Sequence, residues 1–233
     1  MDIIAFLGIA GTAIIGSFVG LVVLLWLVGF RIIRSDRVGI VEKWWSPRGS
    51  LKDQIIALKG EAGYQPDVLR GGIHFRTPLM YKVHTMPLVT IPQGKIGYVF
   101  ARDGVPLEGG QTLGRMVPGN TFQGVRFFLE NGGQRGPQRQ ILREGTYAFN
   151  LAMFVVVTES QVYYLHMGDT VEMQTIQSMA AHLASIGGFA PVIIKGADDK
   201  TGIVTVHDGP SLPSGDIIAP AVGDKAGDPN HHN

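Results

Sequence analysis

Two Asp-Gly pairs are the first residues in this sequence whose type and spacing could do chemistry. Asp103-Gly104 and Asp208-Gly209 could supply the paired carboxylates that general acid–base catalysis requires. Both pairs, however, occupy the same place in a stretch of sequence that occurs twice, which favours a structural role. An Asp side chain accepts hydrogen bonds from nearby backbone N–H groups and Gly tolerates a positive φ, so the pairs predict turns.

The seven histidines form no ligand pattern. They are dispersed except for His231-His232, whose adjacent side chains diverge and disfavour a metal site. His74 lies in a Gly-Xaa-His-Phe turn, where we expect the ring to satisfy backbone polar groups. The sequence has no zinc-protease, nucleophile-elbow, dinucleotide-binding or P-loop motif. It therefore predicts a protein that is not an enzyme and uses no metal or cofactor.

Composition excludes several further classes of protein. Lys and Arg number 20 against 19 Asp and Glu, so the net charge of +1 provides no field for gathering nucleic acid. The absence of cysteine excludes a disulfide framework, a thiolate metal site and thiol catalysis. Only 17% of residues are charged and 32 are glycine, a combination that indicates a membrane segment joined to a turn-rich, β-rich domain.

The N-terminal segment predicts a transmembrane anchor over residues 1–34. No charged residue occurs from Ile3 to Phe30, a run of 28 residues. As a helix this run would be about 42 Å long, against a hydrocarbon core of about 30 Å. A cleaved signal peptide is the alternative. It is disfavoured by Asp2, by the length of the run and by the lack of a small-residue cleavage site.

Residues at and behind this anchor are candidates for membrane contacts. Small residues recur every four positions and would let another membrane helix approach closely, although glycine is also common in such helices: Gly8, Thr12, Gly16 and Gly20. Basic and aromatic residues at the membrane interface follow: Arg31, Arg34, Arg37, Trp44 and Trp45. For the tryptophans, packing against another subunit is an equal alternative. Because arginine resists translocation, we expect a single-pass protein with a cytoplasmic C-terminal domain.

The remainder of the sequence contains internal repeats. When Gly97 is set against Gly202, seven of 21 positions are identical. A more distant copy begins at Gly39, and residues 68–75 resemble residues 141–147. Each unit reads as a short apolar strand, a Gly-rich turn, a second strand, and then Leu-Arg-Xaa-Gly followed by another strand.

Periodicity predicts the elements that must position these residues. β-Branched and aromatic residues indicate strands over 82–91, 146–158 and Phe189–Lys195. A capping pattern at Asp169 starts a helix that ends at Gly187, with an apolar face: Met173, Ile176, Met179, Ala180 and Leu183. A shorter helix is predicted from Thr121 to about Asn131.

The residues that follow the anchor resemble the stomatin–prohibitin–flotillin (SPFH, band 7) superfamily. The resemblance rests on Val38-Gly39-Ile40-Val41 and on a Gly-Xaa-His-Phe-Xaa-Xaa-Pro motif: Gly72, His74, Phe75 and Pro78. Residues 91–99 resemble larger bacterial flotillin-like members. The resemblance implies a mixed α/β domain at the membrane surface. It also implies a non-enzymatic scaffold that oligomerises and organises a membrane microdomain or membrane-protein partners.

The predicted fold is therefore α+β, with a transmembrane helix followed by β-rich repeated SPFH-like domains. Residues 35–160 form a first β-rich region, and residues 161–233 form a helix and the start of a further repeat that we expect to continue beyond Asn233. The expected partners are the lipid bilayer and either further copies of the chain or another membrane-protein complex, with no nucleic acid. The alternative function is a single-pass accessory subunit of a larger respiratory or photosynthetic complex.

Overall fold

The computed structural model of the chain describes residues 3–109, 111–168, 170–194, 201–203 and 214–218. In these ranges the fold is a mixed α+β structure rich in short strands, which confirms the predicted class at this level. Three helices are present in them: α1 (Ile3–Val28), α2 (Val125–Glu130) and α3 (Thr170–Ser185).

Helix α1 contains no charged residue, and the large apolar side chains described along it, from Ile14 to Trp26, are exposed. The predicted anchor extends to residue 34, but α1 ends at Val28 and a strand begins at Phe30. For α1, the structure describes the side chains of residues 11–24 and 26. Among the described residues, no helix is both long enough and apolar enough to cross a membrane.

The strands of the described residues form four antiparallel sheets. Their bounds are β1 (Phe30–Ile33), β2 (Arg37–Lys43), β3 (Gly63–Leu69), β4 (Gly72–Phe75), β5 (Tyr81–Pro87), β6 (Val89–Ile91), β7 (Tyr98–Ala101), β8 (Gly136–Pro137), β9 (Gly145–Tyr147), β10 (Phe154–Val157) and β11 (Val162–Tyr163). The strand orders are β1-β4, β3-β2-β5, β6-β9 and β11-β10-β7-β8. In each case the first strand of a two-stranded ribbon, β1 or β6, directly precedes an inner strand of a larger sheet, β2 or β7.

The main hydrophobic core lies beneath β7 and β10. Phe154 is fully buried, and its ring centroid lies 5.3 Å from that of Phe122 and 5.3 Å from that of Phe128, both edge-to-face. Helix α3 covers the opposite face of the same sheet, where Met173 and Ile176 pack against Val155 and Val157. Both faces of β10 are therefore buried, which explains its continuous run of apolar residues.

The α3 prediction is confirmed over the described residues, with one difference on its apolar face. Gly187 follows the helix at φ +69°, which ends it as predicted. Met179 is exposed, whereas Ala180 and Leu183 contact the sheet. The hydroxyl of Tyr98 on β7 donates a hydrogen bond to the Gly188 carbonyl, and burial raises the pKa of Tyr98.

Two predicted elements are shorter in the structure because buried polar turns interrupt them. The strand predicted over 146–158 is β9 and β10, separated by a turn in which the fully buried Asn150 donates to the Gln65 carbonyl. The helix predicted from Thr121 begins only at Val125, because Phe122 adopts φ +56° and its N–H donates to the Asn120 side chain.

The strand predicted over Phe189–Lys195 is wrong in its described part. Residues 191–194 have no regular structure, and Val192, Ile193 and Ile194 are exposed. No strand pairs with them among the described residues. A β-pattern forms a strand only where a neighbour completes its backbone hydrogen bonds.

The predicted turn at Asp103-Gly104 is confirmed, and its carboxylate also joins distant parts of the chain. Asp103 Oδ1 accepts from the Gly104 N–H, and Gly104 has φ +130°. Asp103 Oδ2 accepts from the backbone N–H groups of Ile55 and Ile56 at 2.8 and 3.0 Å. The carboxylate thus has a structural role at this position. The second pair, Asp208-Gly209, lies outside the described residues.

Replacing Asp103 by alanine is expected to lower the free energy of unfolding by about 1–3 kcal/mol, because buried N–H donors lose their acceptor. Asp103→Asn keeps one carbonyl oxygen and is expected to cost less. Urea unfolding in detergent measures both values. A loss for Asp103→Ala no greater than that for Asp103→Asn would contradict the role assigned to the carboxylate.

Candidate membrane-proximal site

The end of α1 is clamped to the segment that carries the Gly-Xaa-His-Phe motif. Gly29 has φ +92°, and a Cβ at this position would overlap the backbone of Arg76 and Thr77. The Arg76 N–H donates to the Gly29 carbonyl at 2.7 Å. Only glycine fits this close approach, so α1 leads into the ribbon β1-β4 through one tight contact.

One face of the ribbon β1-β4 is apolar and open to solvent. The register places Phe30 opposite Phe75 and Ile32 opposite Ile73. The two phenylalanine rings lie edge-to-face with centroids 5.6 Å apart, and Ile32 and Ile73 are 69% and 60% exposed. Because directly opposed residues share a face, these four side chains form one surface.

The other face of the ribbon packs on the sheet β3-β2-β5 and explains the remaining motif residues. Ile33 is buried against Val41 and Leu69. Opposite Ile33, Gly72 takes φ +138°, and the His74 ring bonds through Nε2 to the Arg70 carbonyl at 2.7 Å. His74 therefore bonds to the backbone as expected, but it lies in strand β4 and not in the predicted turn, because Gly72–Phe75 pairs with β1.

The turn that follows the ribbon brings further apolar side chains to the same region. Pro78 is half-buried at the start of this turn, and Leu79 is exposed. The Trp44 N–H donates to the Met80 carbonyl at 2.9 Å, which places Trp44 beside the turn. Both Trp44 and Trp45 are exposed. Trp44 also lines a cleft with Glu42 and Tyr64. We call the exposed face of the ribbon β1-β4 the apolar patch: Phe30, Ile32, Ile73 and Phe75.

Arginines lie around the apolar patch and the end of α1. The Arg31 guanidinium stands 6.0 Å from the Trp26 ring centroid, and the Arg76 guanidinium stands 5.9 Å from that of Tyr81. Arg34 is exposed and pairs with Asp36 at 3.2 Å, and Arg37 is exposed at the start of β2. Arg31 and Arg76 thus lie near the end of α1 and the turn after β4, whereas Arg37 lies at the end of β2 that is remote from Lys43 and Trp44.

The small-residue face of α1 is open in the single chain. A Cβ at Gly16 or Gly20 would meet no atom within 4 Å, and Thr12 is exposed. The surroundings of Gly8 lie outside the described residues. This face is therefore available to a second helix.

Sequence reasoning missed the pairing of β1 with β4, which builds the apolar patch. The alternation of Phe30 and Ile32, and of Ile73 and Phe75, was a readable pattern, but the pairing joins segments far apart in sequence. An open cleft of about 720 Å³ beside Tyr64 and Arg102, and an apolar cavity of about 470 Å³ beneath α3, were also not predicted.

The ribbon β1-β4 thus presents exposed apolar side chains, with the guanidinium of Arg31 nearby. Within the described ranges, no cluster of three or more His, Asp or Glu side chains could hold a metal ion. Comparisons with known proteins found no matching family model, curated protein or solved structure.

Proposed function

We propose that this chain is a non-enzymatic membrane scaffold that is anchored by α1 and seated on the bilayer by the apolar patch. The observation that carries the proposal is the position of the patch, which adjoins the C-terminal end of an uncharged 26-residue helix. Exposed apolar surfaces of this kind mark sites of contact with a membrane or a partner. A lipid bilayer is the partner that would contact both α1 and the patch.

The side chains of this region suit the bilayer interface. Tryptophan and phenylalanine favour the headgroup zone, where an apolar ring and polar surroundings coexist. Arginine near an anionic leaflet contributes about 1 kcal/mol per residue. Arg31, Arg34 and Arg37 also favour a cytoplasmic location for the domain, because positive residues resist translocation.

Self-association is the second part of the proposal. The face of Gly16 and Gly20 would allow close backbone approach between membrane helices, which associate through packing of small residues. The ribbons β1-β4 and β6-β9 are two-stranded in the described residues and so have backbone edges that could pair with a neighbouring copy. The resemblance to the SPFH superfamily supports the same class of function.

The double substitution Gly16→Leu and Gly20→Leu is expected to shift the chain from large homomeric particles to smaller species, because bulky side chains block helix contact. Gly11→Leu lies on the opposite side of α1 and is the matched control, expected to leave particle size unchanged. The measurement is native mass after extraction in mild detergent.

Each outcome decides between functional classes. Many copies of one chain in each particle support the scaffold. One copy among unlike chains would instead establish the accessory subunit. A particle size insensitive to the double substitution would remove α1 from the assembly.

A further inference from the structure

The apolar cavity of about 470 Å³ beneath α3 lies between the helix and the strands β7 and β8. On the helix it is lined by Ile176 and Leu183, which pack on the sheet, and by Met179, which is exposed. At 3.6 residues per turn, Met179 lies about 60° around the helix axis from Ile176. The cavity therefore runs along one flank of α3, beside the residues that hold the helix on the sheet.

Aromatic and aliphatic side chains form the wall of the cavity on the sheet side. Tyr98 and Phe100 are half-buried beneath α3, whereas Val99 between them is buried in the main core. Because alternate residues of a strand face opposite sides, both rings lie on the helix side of β7. Pro137, opposite Phe100 in the register, and Leu113 complete this wall.

Few polar side chains line the cavity, and two of the three donate hydrogen bonds within the protein. The side-chain NH2 of the buried Gln138 donates to two backbone carbonyls, and the Ser178 hydroxyl donates to the Thr175 carbonyl. The third is His182, which is exposed and lies on the same flank of α3 as Met179. The His182 ring therefore places a polar group at the opening of an otherwise apolar space.

The size, lining and shape of the cavity indicate the class of ligand. Ligand sites in proteins measure about 300–1,000 Å³ and combine apolar and aromatic walls with a small number of polar groups. Apolar space that water does not fill binds apolar groups, which restore the missing dispersion contacts. The segment from Ile176 to Leu183 is about 10 Å long. An elongated apolar space with one polar group at its opening suits a hydrocarbon chain that has a polar end.

We propose that this cavity binds a single-chain amphiphile, with its hydrocarbon chain between α3 and the rings of Tyr98 and Phe100 and its polar end beside His182. A free fatty acid and a lysophospholipid share this chemistry, and the test below separates them. The inference goes beyond the membrane role proposed above and does not depend on it, because the cavity shares no residue with the apolar patch.

The test uses the full chain in lipid nanodiscs and a dodecanoate probe that carries a diazirine at the end of its chain. After irradiation, peptide mass spectrometry is expected to place adducts on the cavity wall, at Tyr98, Phe100 or Leu183. Met179→Asp is expected to reduce these adducts at least about fivefold, because a carboxylate beside the chain would have to lose its hydration. Ile186→Asp is the matched control, since Ile186 is an exposed apolar residue just beyond α3 that does not line the cavity. Met179 and Ile186 are both exposed, so neither substitution disturbs the core.

Competition with unlabelled amphiphiles identifies the source of the chain. Loss of the cavity adducts with excess dodecanoate but not with lysophosphatidylcholine assigns a free fatty acid, and loss with lysophosphatidylcholine assigns a lysophospholipid; both results support the proposal. Adducts absent from the cavity wall, adducts that neither competitor removes, or equal labelling of the Met179→Asp and Ile186→Asp variants would overturn it. Particle size, which tests the scaffold, is a separate measurement, so the two proposals can fail independently.

Discussion

On the membrane role proposed above, replacing Ile32 and Ile73 together by aspartate is expected to release the domain from the bilayer surface without removing the chain from the membrane. Burying one isoleucine side chain contributes about 1.5–3 kcal/mol. Losing two therefore costs about 3 kcal/mol or more, a factor of roughly a hundred in the docked population. Both side chains are exposed in the single chain, so the substitutions leave its core intact.

Tryptophan fluorescence in nanodiscs with brominated lipid measures the docked population. Trp44 and Trp45 are exposed, and Trp44 lies beside the turn that follows the ribbon β1-β4. Trp26→Phe in every variant removes the signal of α1. The matched control is Val105→Asp with Ile141→Asp, two exposed apolar positions outside the apolar patch. Quenching equal in the patch variant and the unsubstituted chain would show that the patch does not face lipid, and would leave a protein partner as its occupant.

Replacing Gly29 by alanine is expected to detach the ribbon β1-β4 from the end of α1. The new Cβ would overlap the backbone of Arg76 and Thr77, and backbone atoms cannot rotate aside as a side chain can. The positive φ adds about 1–2 kcal/mol. With the overlap, we expect a loss of about 3 kcal/mol or more.

Gly49→Ala is the matched control for this substitution. Gly49 has φ +83° and no atom within 4 Å of an added Cβ, so it incurs the backbone cost without the overlap. Hydrogen exchange over residues 72–77 is the measurement, because the Arg76 N–H donates to the Gly29 carbonyl. Faster exchange is expected for Gly29→Ala alone. Equal behaviour of the two variants would mean that the close approach does not hold the ribbon in place.

Helices, strands and turns were predicted correctly where the residues that determine them lie in one short segment of the chain. The apolar face and terminal glycines of α3 lie within a few turns of chain, and so does the turn at Asp103-Gly104. The strands β5 and β6 likewise lie in the stretch predicted from its alternation. The predictions failed at Phe122 and Asn150, where buried polar contacts end or interrupt an element. A contact with a distant carbonyl, such as that of Gln65, leaves no local pattern.

The candidate site likewise has residues that the sequence identifies and an arrangement that depends on contacts between distant segments. Arg31, Arg34, Trp44 and the motif of His74 were selected from residue type and position. The apolar patch, in contrast, depends on the register of Phe30 with Phe75, which joins segments separated by two strands. Residue type was therefore informative about the site before its geometry was known.

By itself the sequence determined the apolar helix, the repeated glycine-containing units and the absence of a catalytic motif, since each depends on residue types at short spacing. Only the tertiary structure decided that Ile33 is buried while Ile32 is exposed. The physical reason is that a strand completes its hydrogen bonds through a neighbour. Burial of its side chains is then decided by which segment, near or distant, supplies that neighbour.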